Sequence, residues 1–264
     1  MSFLLRTTAA AALLALSATG TAHAAATATV SIGQVTITLF DLDPFDSITP
    51  ALTFQGESSY SYASIGSAYD QEGAPGFYSP TSAYASTALG WVAGNTSAAG
   101  ASSALELLGA ATAGNQASAQ GNSYSYSNFE VTPWTGVVLT AYVDAQASTS
   151  VGRDGNQTEW VQGYGTIQMS IQGDDGYEYH YASQGAYASY VWDGTQYVPE
   201  STSFSGQIRL TYANLSGATL SGSYYAQAST NASSTIAAVP EPTSYALLLA
   251  GLAAISAAVR RRRD

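Results

Sequence analysis

The chain has 264 residues, with no cysteine, no lysine, and 18 acidic residues against seven arginines. Thiol catalysis, cysteine-ligated zinc and disulfide staples are thereby excluded, and stability has to come from burial and β-pairing. Charged residues make up only 9% of the chain while tyrosine reaches 19 and glycine 25, a balance closer to surface and matrix proteins than to a cytoplasmic enzyme.

Residues 1–24 read as a signal peptide. Arg6 supplies the positive region, an apolar run follows, and Ala22-His23-Ala24 gives the A-x-A site for signal peptidase. The predicted body is 25–238. Setting aside Glu241, Asp264, Arg6 and the four terminal arginines leaves 16 acids, Arg153 and Arg209, a net charge of −14. Such a body repels nucleic acid and anionic lipid, so no nucleic-acid partner is expected.

Period-two alternation runs through the body and predicts strands. Residues 27–39 place Val30, Ile32, Val35, Ile37 and Leu39 on one side, with a phase break at Gly33-Gln34 that predicts a bulge. Asp41, Asp43 and Asp46 follow on a loop stiffened by Pro44; calcium takes flexible oxygen ligands, and these three are one candidate set. Leu52, Phe54, Tyr60 and Tyr62 mark the next strands, and residues 83–92 a weaker one. Residues 98–120 are rich in Ala, Gly and Ser; 102–111 predict a short helix, and the rest a loop.

The second half carries six long strands: 124–131, 136–149, 158–172, 178–192, 202–214 and 219–236. Turn residues at Pro133, Asp154-Gly155, Asp174-Asp175, Asp193-Gly194 and Ser216-Gly217 separate them. Long strands with short connections imply an all-β, antiparallel sandwich or jelly-roll-like body. Leu139, Ala141, Val143 and Ala145 share the predicted inner face of their strand, Val138, Thr140, Tyr142 and Asp144 the outer.

The chemistry on offer is sparse. Within the body only His180 remains to serve a triad; it sits mid-strand among tyrosines, and no Gly-x-Ser-x-Gly elbow occurs. Glu130, Asp144, Glu159 and Glu178 could run glycoside hydrolysis if two of them converged, but their spacing does not demand it. Asp154, Asn156 and Glu159 form the second candidate calcium set, without an EF-hand pattern. Trp160 and Trp192 are the candidates for stacking on sugar rings. The expectation is a non-enzymatic protein with no required cofactor beyond a candidate structural calcium.

The C-terminus is the most specific segment. Val239-Pro240-Glu241-Pro242-Thr243-Ser244 precedes an uncharged stretch, 243–259, and then Arg260, Arg261, Arg262 and Arg263. Seventeen residues make about 26 Å of helix, the short end of a membrane span. The arginines stop it on the cytoplasmic side. The order of proline-flanked glutamate, apolar helix and arginine cluster over 239–264 resembles the PEP-CTERM sorting signal of Gram-negative envelope proteins. That resemblance implies export, recognition of the tail by an exosortase-type membrane peptidase, tethering at the inner membrane, and delivery to the cell surface or beyond. It also implies proximity to exopolysaccharide and biofilm matrix. It implies no fold for residues 25–238. The expected role is structural or adhesive near exopolysaccharide, with a carbohydrate-binding module and a polysaccharide-active hydrolase as the alternatives.

Overall fold

The computed structural model describes residues 25–109, 116–150, 153–154, 157–173 and 176–235. The expected signal peptide, transmembrane helix and sorting tail lie outside these, as do Asn156 and the Asp174-Asp175 turn. The described residues form strands and no helix: β1 (Ala26–Gly33), β2 (Thr36–Asp41), β3 (Leu52–Ile65), β4 (Ala68–Pro75), β5 (Thr81–Thr87), β6 (Gly90–Ser97), β7 (Gly100–Leu107), β8 (Ala117–Val131), β9 (Thr135–Ser148), β10 (Arg153–Asp154), β11 (Gln157–Gly173), β12 (Gly176–Ala188), β13 (Tyr190–Trp192), β14 (Tyr197–Pro199), β15 (Ser201–Asn214) and β16 (Leu220–Ser234).

Two antiparallel seven-stranded sheets face each other. The first runs β15-β9-β1-β7-β6-β5, with β2 also on β9; the second runs β10-β11-β16-β8-β3-β4, with β12 also on β11. β13 and β14 form a separate two-stranded ribbon. The break at Gly33-Gln34 is a bulge in register. Ile32 faces Val143 and Thr36 faces Thr140, so three residues on one side oppose two on β9. The extra residue keeps Val35, Ile37 and Leu39 turned inward after the kink.

Three expectations are corrected. The described part of the expected 102–111 helix, residues 102–109, is not helical: β7 occupies Gly100–Leu107, pinned between β1 and β6, with Ala101, Ser103, Leu105 and Leu107 buried. Ala and Leu favour helix in isolation by only a fraction of a kcal/mol each, which two flanking ladders override. The 83–92 strand is instead the hairpin β5–β6. The described residues of the 98–120 segment are mostly strand, because β7 takes Gly100–Leu107 and β8 begins at Ala117, which pairs with Ser234 of β16.

The core is divided. Between β9, β11 and β15 it is aliphatic, with Leu139, Val143, Ile167, Met169, Ile171 and Leu210 buried. Between β3, β8 and β16 of one sheet and β5, β6 and β7 of the other, hydroxyls stand among Ala63, Ile65, Ala83 and Val92. Ser61 bonds Thr81 (2.6 Å) and Ser123 (3.2 Å), Thr81 bonds Thr96 (2.7 Å), and Ser103 bonds Thr230 (2.6 Å). Each hydroxyl can be both donor and acceptor, so neighbours in these pairs satisfy one another. Side chains this small let the sheets approach closely. A Cβ on Gly121 would stand 2.3 Å from the Ser103 Oγ, and one on Gly94 2.6 Å from the Ser123 Oγ.

Candidate functional site

Strand alternation sorts the tyrosines. On the second sheet, inward positions carry the core and outward positions carry Tyr60, Tyr62, Tyr69, Tyr124, Tyr126, Tyr164, Tyr177, Tyr179, Tyr181, Tyr187 and Tyr225. Eleven of the chain's 19 tyrosines thus share one face. Gln, Asn, Ser and Thr fill most of the positions between them, and among the described, regularly alternating outward positions of β3, β8, β11, β12 and β16 only Glu130 is charged. Register aligns them across strands: Tyr181, Gln168, Tyr225 and Tyr126 stand in one row, and Ser183, Thr166, Gln227, Tyr124 and Tyr60 in the next.

Neighbouring rings and amides hold one another. Tyr60 and Tyr124 lie 5.4 Å apart between ring centroids. The Tyr225 hydroxyl donates to Gln168 (2.7 Å), that of Tyr126 to Asn128 (2.6 Å), and Gln227 donates to Asn122 (2.8 Å). Burial raises the Tyr124 phenol above its ordinary pKa, aided by Tyr60, and raises that of Tyr225, aided by Tyr164. Both therefore stay neutral donors at physiological pH. At the edge, Tyr177, Tyr179 and Tyr181 on β12 project freely; Tyr181 is 74% exposed.

This face is not flat throughout. Tyr126 and Tyr177 flank a groove of about 260 Å³ floored by Gly222 and Phe129 and edged by Gln55, Asn128, Glu130, Gln172 and Ser223. Two phenol rings, three amides and one carboxylate converge there. The opposite outer face, on the first sheet, is built differently, with Ser205, Asp144, Ser31, Ser102, Asn95 and Ser82 in one row.

The sequence candidates scatter. Trp160 stands on the outer side of β11, half-buried at the end of the tyrosine face. Trp192 does not join it: it lies on the β13–β14 ribbon, against Tyr197 at 5.1 Å. Asp41, Asp43 and Asp46 each accept a backbone N–H two residues on, at 3.0, 3.1 and 2.7 Å, so they shape the turn. Among the described residues no three acidic or histidine side chains gather as a metal site. Asp154 belongs to the two-residue β10, and Glu159 is buried, accepting from the Ser150 N–H at 3.3 Å. Glu130 and Asp144 sit on opposite outer faces, and Glu178 pairs with His180 (3.1 Å) beside Tyr212 at the sandwich margin. These carboxylates do not converge. The groove residues were missed because their grouping depends on strand order, although Tyr124, Tyr126 and Tyr177, Tyr179, Tyr181 already alternate in sequence.

Residues 238–263 match the family model of the PEP-CTERM protein-sorting motif. The chain carries a PEP-CTERM sorting motif. The motif implies export, anchoring at a membrane through the C-terminal region, and processing by an exosortase-type membrane protease for sorting to the cell surface. The PEP-CTERM match covers only this tail. No curated protein and no solved structure matches the chain, so the β body stands on its own geometry.

Proposed function

We propose that this is a non-catalytic cell-surface protein whose β body adheres to neutral exopolysaccharide through the outer face of its second sheet. The observation that carries the reading is the groove between Tyr126 and Tyr177. Pyranose rings present C–H faces that stack on aromatic rings, while their hydroxyls need amide and carboxylate partners at the rim. Tyr126, Tyr177, Asn128, Gln172 and Glu130 are that combination. The uncharged rows beyond the groove extend the same chemistry across several strands. A body carrying −14 disfavours anionic polymers, so the ligand is a neutral glycan. Sorting to the cell surface by the tail motif is consistent with this reading.

Affinity electrophoresis of the protein in gels containing neutral or anionic polysaccharide tests this. Retardation is expected in neutral polymer, with little dependence on salt. The double substitution Tyr126→Ala and Tyr177→Ala should weaken it about tenfold, from roughly 1.4 kcal/mol of lost stacking. Retardation only by anionic polymers, or by none, would overturn the reading.

A further inference from the structure

The chain leaves the sandwich at the end that carries an exposed aromatic ribbon. Ser234, the last residue of β16, faces Glu159 near the start of β11, and the Thr235 N–H donates to the Thr158 carbonyl at 3.0 Å. β12 arrives at the same end. Ala188 faces Val161, the Ser189 hydroxyl donates to the Glu159 carbonyl (3.1 Å), and β13 begins one residue later. Within the ribbon, Tyr190 and Trp192 each set a ring against Tyr197, at 5.0 and 5.1 Å. Trp192 nevertheless keeps 55% of its surface exposed, Val191 46% and Tyr197 40%. A two-stranded ribbon gains by covering the exposed face that carries Trp192 and Tyr197.

Residues 236–242 separate the sandwich from the apolar stretch 243–259. Seven residues reach at most about 25 Å. β11 alone, with 17 residues, is roughly 55 Å long. While the tail is in place, the tether therefore keeps this end of the body near the bilayer and lets the far end stand well away. Tryptophan and tyrosine are the side chains that settle at the membrane–water boundary, ring in the acyl margin and polar atom in the headgroups.

We infer that the β13–β14 ribbon is a membrane-interface contact of the tethered precursor, with Trp192 and Tyr197, paired on one face of the ribbon, entering the headgroup layer of the bilayer that holds the tail. Asp193 limits the depth. It accepts from the Gln196 and Thr195 N–H groups (2.9 and 2.8 Å), which hold it below the usual carboxylate range and keep it charged at the turn. The body's negative charge opposes free adsorption, so the contact depends on the local concentration that the tether provides. This inference rests on the sorting tail and not on the polysaccharide reading.

The full chain, reconstituted in phosphatidylcholine vesicles bearing bromine at shallow acyl positions, provides the test. Tryptophan fluorescence should be quenched. Trp192→Phe should remove most of that quenching, whereas Trp134→Phe, at the far end beside Ser216, should leave it. Trp192 is exposed, so its replacement leaves the fold intact, which circular dichroism verifies. Quenching that is absent in the full chain, or that Trp192→Phe does not alter, would overturn the inference.

Discussion

Tyr78 and Tyr224 show how one pair of phenols can pin a kink and leave a mark on stability. Tyr78 adopts a left-handed backbone (φ 56°), a costly conformation for an aromatic residue. Its hydroxyl accepts from the Val35 N–H and donates to the Gly33 carbonyl, both at 3.3 Å, and so ties down the bulge between β1 and β2. Tyr224 stacks on Phe77 at 5.1 Å and is 2% exposed, and its hydroxyl neighbours that of Tyr78 without reaching hydrogen-bond geometry. Burial pushes Tyr78 from 10.0 up to about 12, and Tyr224 higher still. A phenol raised on folding gives stability that is complete below its unfolded pKa of 10.0 and is lost as pH climbs through the folded value. Unfolding should therefore become easier above pH 10.0. Tyr224→Phe removes a buried hydroxyl that has no partner, so it should leave the protein equally stable or up to about 1 kcal/mol more stable at neutral pH. It should also flatten the alkaline decline. Urea titrations across this range measure both, and a loss above about 1 kcal/mol would show that the hydroxyl has a strong partner.

At the scale of elements, the exposed edges are managed by carboxylates. β5 ends the first sheet, and its free N–H groups at Ser82 and Tyr84 donate to Glu72 (2.6 Å) and Asp70 (3.0 Å) of β4. β4 belongs to the other sheet, so these two bonds clip the sandwich shut and put negative charge where another strand would add. Replacing both with alanine should cost about 1–2 kcal/mol and speed amide exchange at Ser82 and Tyr84. Light scattering should rise as the edge becomes available for pairing; unchanged exchange at those two amides would rule out the clip. Much of this level was legible in the sequence. The strands of the second half and the phase break at Gly33-Gln34 follow from alternation alone, because one inward methyl or ring per pleat is what a half-buried strand requires. β7 was not, because its composition is equally good for helix, and the decisive factor, a ladder on each side, comes from residues 26–33 and 90–97. The alternation of Ala101, Ser103, Leu105 and Leu107 was the available signal, weakened because alanine and serine contrast little in polarity.

For the whole molecule, strand order separates two ends and two faces. One end gathers Ala25, Thr235 and the aromatic ribbon; the other gathers the Asp41–Asp46 turn, Trp134 and the β15–β16 connection. The tyrosine face runs between them along the strands. None of this is visible residue by residue, since it depends on β8, β16 and β11 lying side by side despite being separated by β9, β10 and others in sequence. Together the tether and the ribbon imply that the body stands on its C-terminal end before the tail is cut, with the tyrosine face turned sideways and the acidic turn outward. The chain has no cysteine, so single labels are unambiguous. Donor dyes at Thr195→Cys, on the ribbon turn, and at Phe45→Cys, 91% exposed on the far turn, can be compared against an acceptor in the lipid. The upright arrangement requires strong transfer from the first and weak transfer from the second, with the difference vanishing once the tail is removed and the body drifts free. Equal transfer from both sites in the tethered chain would mean that the body lies along the membrane, with its tyrosine face or the opposite one against the lipid.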